Sequence, residues 1–196
     1  MFTILLILVV CLSEIHAADY MAIAEDSFLP CTDGPPGSIP VTEAFYLDDL
    51  VVELVPEGIY VSGNATTLWN FPRTDRLQAK VSIFHHNRGT WEPTVFNVLT
   101  RDLCTAIFDK NTYWHNSWFR NLLNEEEIKE KCLTTKDTVL AYNPFLLKLR
   151  AENIIGPPLH GRYMAKIIFE AFDQNNERRP TSLCFEFRGN VQRIRK

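Results

Sequence analysis

The stretch Arg162–Asp173, RYMAKIIFEAFD, decides the fold because its side chains alternate between two faces. One face carries Tyr163, Ala165, Ile167, Phe169 and Ala171, and the other carries Met164, Lys166, Ile168, Glu170 and Phe172. A period of two residues predicts a β-strand. The polar loop 174–180 and the stretch TSLCFEFR at 181–188 then predict an antiparallel hairpin.

Similar patterns extend the sheet toward the amino terminus. Residues 76–84 place Leu77, Ala79, Val81 and Ile83 on one face and polar side chains on the other. Clusters of β-branched and aromatic residues over 41–71, broken by Pro and Gly, predict further short strands. The Pro- and Gly-rich segment 18–40 is expected to be an irregular amino-terminal arm.

A helical insert is predicted over about 101–131. Leu103 and Ile107 recur at helical spacing, and Trp114, Trp118 and Leu122 do the same with Phe119 beside them. Asn124 followed by Glu127 resembles a capping box before another short helix. The expected fold is therefore mainly β, a two-sheet antiparallel β-sandwich or β-cup with a short helical insert.

The first 17 residues read as a signal peptide. The apolar run 1–10 is too short to span a bilayer, and Ala17 and Ala18 follow it where a signal peptidase cuts. With 46% hydrophobic and 22% charged residues in a chain of 196, a single secreted domain over 41–190 is expected, without a membrane span. Residues 191–196 are expected to form a basic tail.

Four cysteines remain once the signal peptide is set aside: Cys31, Cys104, Cys132 and Cys184. In an oxidising compartment an even set predicts two disulfides, and the sequence leaves three pairings open. Charge is uneven, with nine acidic residues and no Lys or Arg over 18–72. The overall net charge of −4 in a secreted chain argues against a nucleic-acid partner.

Catalytic and metal-binding motifs are absent from the sequence, so we expect neither an enzyme nor a cofactor. His85 and His86 are adjacent in a predicted strand, where they face opposite sides and cannot easily share a metal ion. Asn64-Ala65-Thr66 is the only sequon with a permitted middle residue, and Asn64 is expected to carry a glycan.

An ordered series of segments resembles the secreted insect chemosensory A/B-type proteins, a broad insect group of domains of unknown function. The segments are GIYVSGNATTLWNF (58–71), FNVLTRDLC (96–104), NPFLLKLR (143–150), GRYMAKIIFEAFD (161–173) and RRPTSLCFEFRG (178–189). That group is more distantly similar to the lysosomal ganglioside activator, a β-cup with a lipid-filled cavity. The resemblance implies lipid or hydrocarbon binding in taste or pheromone detection, and disulfides Cys31–Cys184 and Cys104–Cys132.

We expect a non-enzymatic carrier of an apolar small molecule or lipid, with a sensory receptor as a further partner. Alternation and helical spacing select the residues that would line the cavity: Val81, Ile83, Trp118, Phe119, Leu122, Ile167 and Phe169. Two alternatives stay open. One is a protein-interaction module with a filled core, and the other is a hydrolase of lipid-like substrates whose Ser or Asp and His converge in a cleft.

Overall fold

A computed structural model describes residues 17–156 and 158–194. Across these ranges the chain forms two antiparallel sheets, joined in part by short helices. The strands are β1 (Ala18–Pro30), β2 (Ser38–Ile39), β3 (Phe45–Tyr46), β4 (Leu50–Val55), β5 (Gly58–Thr67), β6 (Arg76–Asn87), β7 (Thr90–Thr100), β8 (Val139–Leu147), β9 (Arg150–Ile154), β10 (Gly161–Phe172) and β11 (Arg178–Arg193). The helices are α1 (Val41–Ala44), α2 (Leu103–Ala106), α3 (Tyr113–Ser117) and α4 (Glu125–Lys131), with a 3-10 helix at Phe119–Asn121. The predicted mainly β, two-sheet fold with a short helical insert is confirmed.

The larger sheet has the strand order β7-β6-β10-β11-β1-β9, with the short β2 added in parallel to β11. At its centre lies the predicted hairpin, in which Ile167 pairs with Phe185 of β11 and with Val81 of β6. The alternation of β10 holds: Ile167, Phe169 and Ala171 are buried in the core. Phe185 of β11 joins them on the same face, so this face of the sheet is the inner one.

The amino-terminal segment differs from the expected irregular arm over 18–40. Its first thirteen residues form β1, which pairs with β11 on one side and with β9 on the other. Because neighbours on both sides supply hydrogen bonds, β1 is ordered despite a weak hydrophobic alternation. At the other end, β11 continues to Arg193 and pairs there with Tyr20, so 191–193 are strand rather than tail.

The smaller sheet is built on β5, which pairs with β3 and β4 along one edge and with β8 along the other. Ile59 and Val61 of β5 and Leu147 of β8 are buried. These three residues pack against Ala24 of β1 and Phe187 of β11. The smaller sheet therefore covers the β1–β11 side of the larger one.

Both disulfides join the cysteines that the resemblance implies. Cys31 bonds Cys184 with Cα atoms 5.6 Å apart, and Cys104 bonds Cys132 with Cα atoms 5.5 Å apart. The first fastens the segment after β1 to β11, and the second fastens α2 to the end of α4. Each bridge therefore holds a segment against another element that lies at least 28 residues away in the sequence.

The outer face of the larger sheet holds charged pairs under the segment that follows β1. Lys166 is buried and forms an ion pair with Asp33. Glu186, on the strand beside it, is fully buried and accepts a hydrogen bond from Arg188 Nη2 at 2.7 Å. Because buried charges require partners, these contacts keep charge on the outer face and leave the inner face apolar.

Several sequence-based expectations fall on residues that the structure does not describe. Residues 1–16 of the expected signal peptide lie outside the described ranges, as do the last two residues of the expected basic tail. Within the described ranges, no helix combines the length and the hydrophobicity that crossing a membrane requires.

Gly189 of β11 provides a test of the β1–β11 packing. A Cβ atom there would lie 2.5 Å from the backbone oxygen of Ile23, which belongs to a paired strand and cannot move away freely. Gly189→Ala should therefore lower the free energy of unfolding by about 1–3 kcal/mol, measured by chemical denaturation.

Gly34→Ala is the matched control, because its Cβ would lie under 3.0 Å only from the hydroxyl of Ser38, which can rotate away, while the Cβ atoms of Ser38 and Cys184 at 3.1 and 3.3 Å need to shift by only a few tenths of an ångström. Equal losses in the two variants would contradict the close approach of β1 to β11.

Candidate functional site

The helical insert reaches both sheets through two indole groups. Trp114 Nε1 donates a hydrogen bond to Thr100 Oγ1 of β7 at 2.7 Å, which ties the insert to the larger sheet. Trp118 Nε1 donates to Tyr142 Oη of β8 at 2.8 Å, which ties it to the smaller sheet. The insert is therefore attached to both sheets.

Local sequence sets the ends of the insert's helices. Asp102 Oδ1 accepts a hydrogen bond from the Thr105 amide and begins α2, and Thr112 Oγ1 accepts from the His115 amide and begins α3. Helix α3 ends at Ser117 and a 3-10 turn follows at Phe119–Asn121, so the helical spacing of Trp114, Trp118 and Leu122 does not correspond to one continuous helix. This break turns Trp118 toward β8.

The predicted capping box at Asn124 and Glu127 does not form. The Asn124 side chain does not cap α4. It donates to the carbonyl oxygen of Val139 at 2.7 Å and accepts from the Ala141 amide at 3.2 Å, while still contacting Glu127. Asn124 therefore fastens the insert to β8, a role that its position three residues before a Glu does not reveal.

Aromatic rings form the apolar cluster beneath the insert, which we call the aromatic chamber. Its members come from both sheets and from the insert: Phe28, Trp114, Trp118, Tyr142, Phe145, Phe169, Phe185 and Phe187. Trp118 stands near the middle, with its ring centroid 5.5 Å from that of Phe145 and 6.2 Å from that of Phe28, both edge to face. Such contacts stabilise aromatic pairs beyond their buried area.

Several chamber rings are only partly buried. Phe28, Trp118, Phe145 and Phe187 all keep some exposure to solvent, whereas Phe185 and Phe169 behind them are buried. The cluster therefore has a buried base, and the rings of Phe28, Trp118, Phe145 and Phe187 above it are incompletely covered. Partly exposed aromatic rings around a buried apolar base are typical of pockets that take apolar ligands.

Both indole N–H groups of the chamber, those of Trp114 and Trp118, have acceptors within the protein. The indole N–H of Trp118 is bonded to Tyr142, and burial raises the pKa of the Tyr142 phenol, while the hydrogen bond from Trp118 acts in the opposite direction. Tyr142 is therefore neutral at physiological pH. The chamber presents neither charge nor a free indole donor from these two residues, which suits a hydrocarbon better than a polar ligand.

Six of the seven predicted lining residues come together in this core. Phe119, Leu122, Ile167 and Phe169 are buried, and Val81 and Trp118 are partly buried against them. Ile83 is the exception: it is partly buried on β6 and does not belong to the cluster. Four of the six are thus base or core residues, and Trp118 is the best placed to meet a ligand.

Five chamber residues were not selected from the sequence as ligand-lining or helix-stripe residues: Phe28, Tyr142, Phe145, Phe185 and Phe187. Phe187 lies on the same face as Phe185, so extending the β11 alternation would have found it. Phe28 has no such signal, because β-bulges interrupt β1 on both sides of Asp26.

A second cleft lies at the β10–β11 turn and is polar. It encloses about 250 Å³ beside Asp75, Asp173 and Arg179. Arg179 donates two hydrogen bonds to the buried Asp75, at 2.6 and 3.0 Å, and the bond to Asp75 raises the pKa of Arg179. The guanidinium is already paired with this carboxylate, and the pair fastens the start of β11 to the residue that precedes β6.

Searches for metal sites and for similar proteins add no functional assignment. In the described part of the chain, no cluster of three or more His, Cys, Asp or Glu side chains could hold a metal ion. His85 packs against Tyr163 and His86 against Trp91. No protein-family model matches the chain, and no curated protein matches it significantly.

The Trp118–Tyr142 hydrogen bond can be measured in a double-mutant cycle. Tyr142→Phe removes the acceptor and should lower the free energy of unfolding by about 1 kcal/mol or more, since the indole N–H loses its partner. In a Trp118→Phe background the same change should cost less, because no donor is left unpaired.

Tyr113→Phe is the control, since Tyr113 is 63% exposed and its change should be neutral in both backgrounds. Strict additivity of Tyr142→Phe and Trp118→Phe would show that the bond does not hold the insert to β8.

Proposed function

We propose that this protein is a secreted, non-enzymatic binder and carrier of an apolar small molecule, a lipid or a long-chain hydrocarbon, which it presents in chemosensory detection. The observation that carries the proposal is the aromatic chamber, whose rings come from both sheets and the insert and whose front members are partly exposed. Partly exposed aromatic rings clustered over a buried apolar base give an apolar ligand a surface on which to pack.

Secretion is supported by the two disulfides, which form and persist in oxidising compartments. The chemosensory role rests on the resemblance of the sequence segments to the insect A/B-type proteins. In such a role the carrier takes up a poorly soluble compound, and a sensory receptor meets either the compound or the loaded carrier.

A protein-interaction module is the second candidate, and edge strand β7 favours it. Val95 is 89% exposed on a bulge, and Val98 and Leu99 are each 55% exposed beside it. Exposed apolar side chains on an edge strand are typical of contact surfaces. This candidate predicts a protein partner and no uptake of apolar probes.

Uptake of the fluorescent fatty acid cis-parinaric acid tests the carrier proposal. The disulfide-bonded protein should bind the probe at saturation with one molecule per chain, and an unlabelled long-chain hydrocarbon should displace it. Trp118→Asp should abolish uptake, because a carboxylate among the rings of Phe28 and Phe145 would draw water into the chamber.

Val95→Asp is the matched control, since it adds the same charge at an exposed site outside the chamber and should leave uptake unchanged. Circular dichroism and secretion level check that both variants fold. A folded wild-type protein that takes up no probe would refute the proposal, as would equal uptake by wild type and Trp118→Asp.

A glycan on Asn64 is the further modification that we propose. The side chain is exposed on β5, and its neighbour Ala65 is buried, so a sugar chain would point away from the core. The secreted protein should run at lower mass after treatment with peptide N-glycosidase, and Asn64→Gln should run at that lower mass without treatment. An unchanged mass in both cases would contradict the assignment.

A further inference from the structure

Phe28 adopts a backbone conformation that bulky residues rarely adopt. Its φ angle is +55°, in the left-handed region that glycine tolerates and a branched or aromatic side chain does not. Phe28 lies within β1, which pairs with β11 on both sides of it. A residue held in such a conformation is strained, and strain of this kind concentrates at functional sites.

The strain has a definite structural origin. The pairing of β1 with β11 shifts between Ala24 and Asp26 and again between Asp26 and Leu29, so two bulges lie within six residues. These bulges let the chain re-aim a side chain that regular alternation would place elsewhere. Just beyond, Cys31 is bonded to Cys184, so the strand cannot relax by leaving the sheet.

The re-aimed side chain stands in the aromatic chamber. The ring of Phe28 lies 4.9 Å from that of Phe187, 5.6 Å from that of Phe185 and 6.2 Å from that of Trp118, centroid to centroid. Phe28 is itself only partly buried, so it occupies the incompletely covered side of the chamber rather than its base. Phe28 is therefore a chamber residue that combines a strained backbone with a ring that is partly exposed to solvent.

We propose that the Phe28 ring acts as an internal plug: without a ligand it fills the position in the chamber where the ligand binds. The size of the ligand is then limited to what fits in the space that this ring fills. This inference rests on the proposed carrier function. When an apolar ligand enters, the ring turns outward and the backbone at residue 28 leaves the left-handed region. Relief of that strain then offsets part of the cost of exposing the ring.

The position of the plug also indicates the ligand class. The rings of Trp118, Phe185 and Phe187 all lie within 6.2 Å of the Phe28 ring, centroid to centroid, so aromatic groups bound the space that this ring fills. A phenyl ring seen edge-on and an extended alkyl chain have similar cross-sections, whereas a sterol is wider. The plug therefore admits a single linear chain and excludes fused rings until it is removed.

Probe binding by plug variants tests this inference. Phe28→Ala should bind cis-parinaric acid about tenfold more tightly than wild type, because the ligand no longer has to displace a ring. The same variant should also gain binding of a fluorescent sterol that wild type excludes. Phe187→Ala is the matched control, since it removes a neighbouring ring from a regular strand position and should weaken binding of the fatty acid.

Thermal unfolding reports on the strain separately from binding. At residue 28, glycine should be more stable than alanine, because only glycine tolerates the positive φ. At residue 187 the order should be reversed, as in an ordinary strand. A midpoint for Phe28→Gly at or below that of Phe28→Ala would overturn the claim of strain.

The outcomes separate the plug from the carrier function. Tighter fatty-acid binding and new sterol binding by Phe28→Ala, beside a wild type that binds the fatty acid, support the plug. Unchanged or weaker binding by Phe28→Ala, beside a wild type that binds, overturns the plug and leaves the carrier function standing. Failure of wild type and all folded variants to take up any probe overturns both.

Discussion

The rest of the structure depends on how the helical insert is held between the two sheets. Trp114 is bonded to Thr100 of the larger sheet and Trp118 to Tyr142 of the smaller one, so two indole groups set the position of the insert. Because the indole N–H of each tryptophan donates in one of these bonds, the rings pack against the apolar cluster without leaving an unpaired donor. The same contacts thus hold the sheets in place and make the space between them apolar.

Charge is separated from that space by strand alternation. Along β10, Ile167 and Phe169 face the core, whereas Lys166 faces the outer side and pairs with Asp33. The segment after β1 covers these charges and is fastened by the disulfide between Cys31 and Cys184. One strand pattern therefore provides an apolar wall inside and a charged, covered surface outside, which is the arrangement that an apolar binding site requires.

Local sequence patterns predicted the elements whose formation depends mainly on residues close to them in the chain. The β10–β11 hairpin and the insert followed from alternation and helical spacing, and six of the seven predicted lining residues meet in one core. The strand β1 did not follow, because its order comes from pairing with residues such as Arg193 and Ile154 that lie far along the chain. For the same reason the sequence could not indicate that two bulges aim Phe28 inward.

We propose that the aromatic chamber is a site for an apolar ligand rather than a core that only stabilises the fold. The most direct test is native mass spectrometry of the disulfide-bonded, non-reduced protein before and after mild organic extraction. We expect a co-purifying small molecule that extraction removes, and a protein that takes up a long-chain hydrocarbon afterwards. A ligand-free mass before extraction, together with no uptake after it, would contradict the carrier function and favour a protein-interaction module.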